Sequence, residues 1–197
     1  LDTDEKDYTL TEIAACTFEN ASVGNLVLPK TIKVIKSYAF KNGISGSVTI
    51  EEGSELTHIN YEAFRNSKIK SINLNVCTKL EVLAKNSFYY CTDLTTIGTG
   101  ELPDSLTLME QAVFFGCSSL SEDIRSNATM QWKDGEQFRN TAITSLVVPN
   151  LYGSIGARAI GSCPNLTNVV LSQEITAFGE KFRESSNAIK SFEPKIY

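Results

Sequence analysis

A chain of 197 residues, 42% hydrophobic and 21% charged, has the length of one domain or one repeat array and enough apolar material for a core, which excludes a disordered chain. Its net charge of −5, with both signs interspersed, lacks the basic footprint that nucleic-acid binding demands. No run approaches the roughly 20 apolar residues of a membrane span, and five cysteines without CxxC spacing specify neither a zinc site nor a disulfide framework.

The chain opens on Asp2, Asp4, Glu5 and Asp7, an acidic and solvated lead-in or partial cap over residues 1–9, in which no signal peptide is visible. From Leu10 onward one aromatic position returns: Phe18, Phe40, Phe64, Phe88, Phe114, Phe138, then Ile160 standing in, then Phe182. Successive spacings are 22, 24, 24, 26, 24, 22 and 22 residues, the signature of a repeat array. Behind the first three anchors and the last complete one lie Leu26-Val-Leu28, Val48-Thr-Ile50, Ile72-Asn-Leu74 and Val169-Val-Leu171, whose apolar–x–apolar pattern predicts short strands. Pro29 and Pro149 close two of these segments, where a strand stops and the chain turns.

Other positions repeat in register with the anchor. Five residues upstream come Ile13, Ile35, Ile59, Leu83, Met109, Lys133, Ile155 and Ala177. Eight upstream come Leu10, Ile32, Leu56, Leu80, Leu106, Met130, Tyr152 and Glu174. Three downstream come Ala21, Gly43, Ser67, Cys91, Cys117, Thr141, Cys163 and Ser185, nothing larger than Thr or Cys. The upstream columns and the anchors are expected to share one core over residues 10–197. Distortion is expected over Leu120–Gln137, where Lys133 takes an apolar slot, and in the last coil around Glu174, Phe178 and Lys190.

Ile35-Lys-Ser-Tyr-Ala-Phe40 and Ile155-Gly-Ala-Arg-Ala-Ile160-Gly-Ser-Cys163-Pro-Asn-Leu166 resemble the unit "I-G-x-x-A-F-x-x-C-x-x-L-x-x-I-x-L-P" of the BspA-like leucine-rich repeats. The resemblance spans roughly residues 10 to 194. It implies a β-rich leucine-rich-repeat solenoid of about eight right-handed coils, with the more regular strands on a concave face. It also implies bacterial surface display and adhesion, hence an extracellular or cell-surface location. One coil alone cannot fold: ordering costs ~1–2 kcal/mol per residue, while each of a few core side chains returns only ~1.5–3 kcal/mol. Stability therefore belongs to the stack.

Few residues carry catalytic chemistry. Cys91, Cys117 and Cys163 read as buried reduced thiols. Asn20, Asn42, Asn66 and Asn140, two after the anchor, read as left-handed turn residues. His58, the only histidine, reads as an exposed bystander, so neither a catalytic triad nor an imidazole metal site is expected, and no cofactor. The sequons at Asn20, Asn127 and Asn165 read as coincidence in a chain rich in Asn, Ser and Thr. Outward strand positions offer one acid, Glu51, too little for a glycan-cleaving site.

The column just after the anchor differs from the rest. Lys41, Arg65, Tyr89, Phe115 and Arg139 hold one register on consecutive coils and are expected to form an outward basic and aromatic stripe, either a contact surface for an anionic or glycan-bearing partner or a cover for the anchor row. The reading is a monomeric, non-catalytic binding or adhesion module for a protein or glycan partner. A structural spacer and a carbohydrate-active enzyme are the alternatives.

Overall fold

The structure, a computed structural model, describes residues 9–184 and 186 and the backbone of 191–194. The acidic residues of the lead-in, Ser185 and Lys190 lie outside the described residues.

The chain winds into a parallel β-solenoid, and the one helical element among the described residues is a 3-10 turn at Leu74–Val76. The first sheet joins Glu12–Ile13, Val34–Ile35, His58–Ile59, Val82–Leu83, Leu108–Met109, Met130–Trp132, Leu151–Ile155 and Ile175–Phe178 in that order. Those eight strands enclose seven full turns, close to the expected coil number. This sheet runs through the column five residues before the anchor, which the sequence marks as core but not as strand. The predicted strands form the second sheet, in two pieces, except that the third stops at Ile72 and Leu74 opens the 3-10 turn instead. Leu26–Leu28, Ser47–Ile50 and Ser71–Ile72 make one, and Asp123–Arg125, Ser145–Val148, Asn168–Leu171 and Ser191–Pro194 the other.

Between the sheets lies a single core. Phe40, Phe64, Phe88, Phe114 and Phe138 are fully buried. With Phe18 they stack face to face, centroids 5.0–5.3 Å apart and planes within 17° of parallel. The ring spacing follows the strand spacing of ~4.8 Å, so each coil covers the face of the next anchor. The buried row continues through Ile160 and Phe182.

Three column assignments change. Lys133 is exposed and Trp132 is buried in its place, paired with Met109. Three successive left-handed residues, Asp134, Gly135 and Glu136, absorb the offset. Tyr152 points outward while Leu151, opposite Met130, is buried, because a large apolar side chain outcompetes an amphipathic one for the slot. In the last described coil the register slips between Gly153 and Ser154, which sets Phe178 rather than Ala177 opposite Ile155. Phe178 remains 47% exposed, so this coil is distorted as expected, and Leu10, in the first coil, is also exposed.

Candidate binding surface

The turn that carries the anchor has the most regular backbone in the molecule. Two positions per coil are left-handed. Two residues after the anchor these are Asn20, Asn42, Asn66, Tyr90, Gly116, Asn140 and Ser162, so the asparagines do serve as turn residues. Two residues before it come Cys16, Tyr38, Glu62, Asn86, Ala112, Glu136 and Arg158, with φ between 53° and 61°. Alternate amides then point along the solenoid axis. Glu62 N–H donates to Lys85 O, Phe64 N–H to Ser87 O and Asn66 N–H to Tyr89 O. The coils on either side repeat the pattern, as in Tyr38 to Tyr61, Phe40 to Ala63 and Asn42 to Arg65. The amides between them close turns within the coil, as in Arg65 N–H to Glu62 O and Ser67 N–H to Phe64 O. From Tyr38 to Gly43, Glu62 to Ser67 and Asn86 to Cys91 every backbone N–H donates, and the ladder sets the direction of these side chains.

The small-residue column explains itself here. A Cβ on Gly43 would lie 2.0 Å from the Phe18 carbonyl oxygen, so space is minimal. Cys91, Cys117 and Cys163 are buried and free, and each thiol donates to the carbonyl of the preceding anchor: Phe64 at 3.0 Å, Phe88 at 3.2 Å and Phe138 at 3.0 Å. Ser186 repeats the contact in the last coil, donating to Ile160 O at 2.6 Å. The thiols are thus weak donors as well as filling, a role that the sequence reading left out. Burial pushes the Cys91 thiol up to about 12 and raises Cys163.

The five stripe residues do align on consecutive coils. Arg65 lies over the Tyr89 ring at 5.3 Å, Tyr89 stacks on Phe115 at 4.9 Å and 12°, and Arg139 lies over Phe115 at 5.5 Å. The result is a four-member pile, cation–ring–ring–cation. Phe115 in its middle is only 8% exposed, and Lys41 turns instead to the Tyr38 ring at 5.0 Å.

The cations do not stand alone. Lys41 pairs with Glu19 at 3.1 Å, Arg65 with both oxygens of Glu62 at 2.8 Å, and Arg139 with Glu136 at 2.7 Å. Glu62 is buried. Its burial would raise its pKa, but hydrogen bonds from Arg65, Tyr61 and Asn86 outweigh that and hold it below the ordinary carboxylate value. Arg65 Nε and Arg139 Nε are buried without a hydrogen-bond partner among the described residues, the cost of facing a ring.

Flanking the pile, Tyr61 and Tyr90 stand 37% and 43% exposed. The hydrogen bond to Glu62 pushes the Tyr61 hydroxyl up to about 12, with burial adding to it. Tyr38, Tyr61, Glu62, Tyr90 and Glu136 belong to this surface and are missed by a reading confined to one column. The spacing signal was present, since Glu62 and Glu136 sit three residues before Arg65 and Arg139, the pairing distance across this turn. His58 is half-buried rather than exposed, its Nδ1 2.9 Å from Thr57 Oγ1.

The BspA type leucine rich repeat region matches in six copies, over residues 11–122 and 99–195. The chain belongs to this family. Among solved structures, the pneumococcal vaccine antigen PcpA is similar with a TM-score of 0.66 at 16% identity, over 93% of this chain and 56% of that one. That likeness shows the fold, and this BspA-type chain spans little more than half the length of that structure. A leucine-rich repeat protein from Bacteroides ovatus is similar with a TM-score of 0.41 at 15% identity, over 92% of this chain and 70% of that one. A leucine rich cell surface protein from Faecalibacterium prausnitzii has a TM-score of 0.38 at 19% identity, over 95% and 72%. A comparison with curated proteins finds no match. Among the described residues, no helix is long and apolar enough to cross a membrane, and no group of three or more His, Cys, Asp or Glu could hold a metal ion.

Proposed function

We propose that this BspA-type array is a non-catalytic binding module, extracellular or displayed on a cell surface, that contacts a protein or glycan partner through the outward face of the anchor turn. One observation carries the reading: the Arg65–Tyr89–Phe115–Arg139 pile, flanked by exposed Tyr61 and Tyr90. Tyr and Arg are the residue types that dominate interface energy. Here their rotamers are already fixed by stacking and ion pairs, so little side-chain entropy is lost on binding. Because each cation carries its own carboxylate, the surface favours a partner read by aromatic and hydrogen-bonding contact over one held by net charge. The family likeness to surface leucine-rich-repeat proteins supports the location.

The test compares Arg65→Ala, Tyr89→Ala and Tyr90→Ser with the parent chain for binding to cells, matrix proteins and glycan arrays, with urea midpoints measured alongside. Loss of binding by Tyr90→Ser at unchanged stability supports the surface. Unchanged binding by all three variants overturns it and leaves the pile as packing. A weak salt dependence is expected, since the charges are paired in advance.

A further inference from the structure

A second surface lies at a different corner of the coil, where the chain leaves the second sheet. In the first coils this corner is closed and charged: Lys30 N–H donates to the Glu51 carboxylate at 3.0 Å. From the coil anchored by Phe64 onward it changes character. Asn75, Asp104, Asn127, Asn150 and Gln173 occupy it on five successive coils, four amides and one carboxylate.

The corner is hollow there for a structural reason. The coil after Phe88 has the longest spacing, and its extra residues run through Gly98-Thr-Gly100, where both glycines have positive φ. A Cβ on Gly98 would sit 2.0 Å from Asn75 Oδ1, and one on Gly100 2.1 Å from the Asp123 carbonyl oxygen. The second sheet breaks at this bulge, leaving only single bridges from Thr96 to Ser71 and from Glu101 to Arg125. The Glu122 carboxylate patches the gap by accepting from the Thr96 hydroxyl and the Ile97 N–H. Beside the break lies a depression of about 330 Å³ with Leu102 and Val147 at its base and Asn75, Asp104 and Asn127 on its walls.

A second depression, of about 640 Å³, has Asn150, Gln173 and the outward ring of Tyr152 on its walls. The two linings are tied together where Asn150 Nδ2 donates to the Asn127 carbonyl at 2.7 Å. The side chains of Asn75, Asp104, Asn127 and Gln173 carry no hydrogen bond among the described residues. The one cation in the first depression, Arg125, is paired with Glu101 at 2.9 Å, and Asp104 is an unpaired acid. The lining therefore offers donors and acceptors without positive charge, plus an aromatic face at 42% exposure.

We infer that this corner is a groove for a linear neutral glycan, separate from the anchor-turn surface. Amide and carboxylate groups pair with adjacent hydroxyls, the Tyr152 ring supplies a platform for a sugar face, and the unpaired acid disfavours anionic polymers. Five coils at ~4.8 Å per strand give a track of roughly 19 Å, so an oligosaccharide fits it better than a single sugar. Departures from a local rule are expected at functional or strained sites, and the sheet is reduced to single bridges beside this depression.

The experiment titrates the 15N-labelled full chain with β-1,4-linked glucose and N-acetylglucosamine oligomers of increasing length, reading the side-chain amide signals of Asn75, Asn127, Asn150 and Gln173. Expected are saturating shifts with at least one neutral series, tightening with length, and a loss of about tenfold in affinity for Asp104→Ala and for Tyr152→Ala. A galacturonic acid oligomer should bind worse than the neutral chains. Asp104 is exposed, so Asp104→Ala is expected to keep the parent's urea midpoint. Absence of shifts in these amides with every neutral oligomer, or equal binding by both variants, overturns the groove. So does stronger binding of the acidic oligomer. Tyr90→Ser separates the two surfaces, because it should leave this titration unchanged whatever becomes of the anchor-turn partner.

Discussion

The anchor turn and the corner opposite it are built from the same repeats and treat irregularity in opposite ways. Through the turn, left-handed residues keep their places two before and two after the anchor in seven coils, while coil spacing varies from 22 to 26 residues elsewhere. The reason is backbone hydrogen bonding. In the turns anchored by Phe40, Phe64 and Phe88 every second amide is committed to the next coil and every other one to its own, so one added residue would break several bonds at once. At the far corner the chain bulges through Gly98 and Gly100, the sheet parts, and one carboxylate repairs the rim. Length variation, and with it new surface, accumulates where the ladder tolerates it.

That contrast can be broken by experiment. The largest effect is expected at the core of the rigid side: Phe64→Ala should cost about 3–5 kcal/mol, read as a fall in the urea midpoint. Near-native stability would mean that the stacked row is not what holds the array. Next comes a paired insertion. Gly-Ser added after Asn66 severs turn bonds worth ~1 kcal/mol each and should cost about 2–3 kcal/mol. The same dipeptide after Thr99 only lengthens a loop, at well under about 1 kcal/mol. Equal costs would erase the distinction.

A smaller effect follows from Glu62. Its pKa is held below the unfolded value, so its contribution to stability is present above the unfolded carboxylate pKa of about 4.3. It disappears as pH falls through the lower, folded value. Glu62→Gln should flatten that part of the acid limb of the stability–pH curve, and an unchanged limb would count against the pair. Smallest is the thiol column. Cys91→Ser keeps a donor to Phe64 O, whereas Cys91→Ala loses one and should be the less stable by about 0.5–1.5 kcal/mol. In the native protein Cys16, the exposed thiol, should alkylate first, and Cys91, Cys117 and Cys163 only on unfolding.

The sequence made the turn side readable because its chemistry repeats: an aromatic ring, a small residue and an asparagine keep fixed offsets. Fixed offsets also caused the errors. Counting back from Phe138 lands on Lys133, and only the left-handed run from Asp134 to Glu136 delivers Trp132 to the slot. The residues two before each anchor stayed invisible, because Tyr38, Glu62, Asn86, Ala112 and Arg158 share a backbone conformation and no side-chain type. Lys41, Arg65, Tyr89, Phe115 and Arg139 were found as a register, but not the carboxylates that neutralise them. The groove at the other corner was not found at all, since its five polar residues sit at unequal distances from their anchors.

The stacking of coils also decides how the protein answers a mechanical load. Neighbouring coils are joined along the axis by bonds that lie in series from one end of the rod to the other. A pull applied to the two ends loads every junction alike, and the weakest yields first. Each coil released pays out 22–26 residues of chain, roughly 80 Å when extended at ~3.3–3.6 Å per residue. Held between two anchored bodies, the array would lengthen in steps and re-wind when the tension falls, a yielding tether rather than a stiff strut.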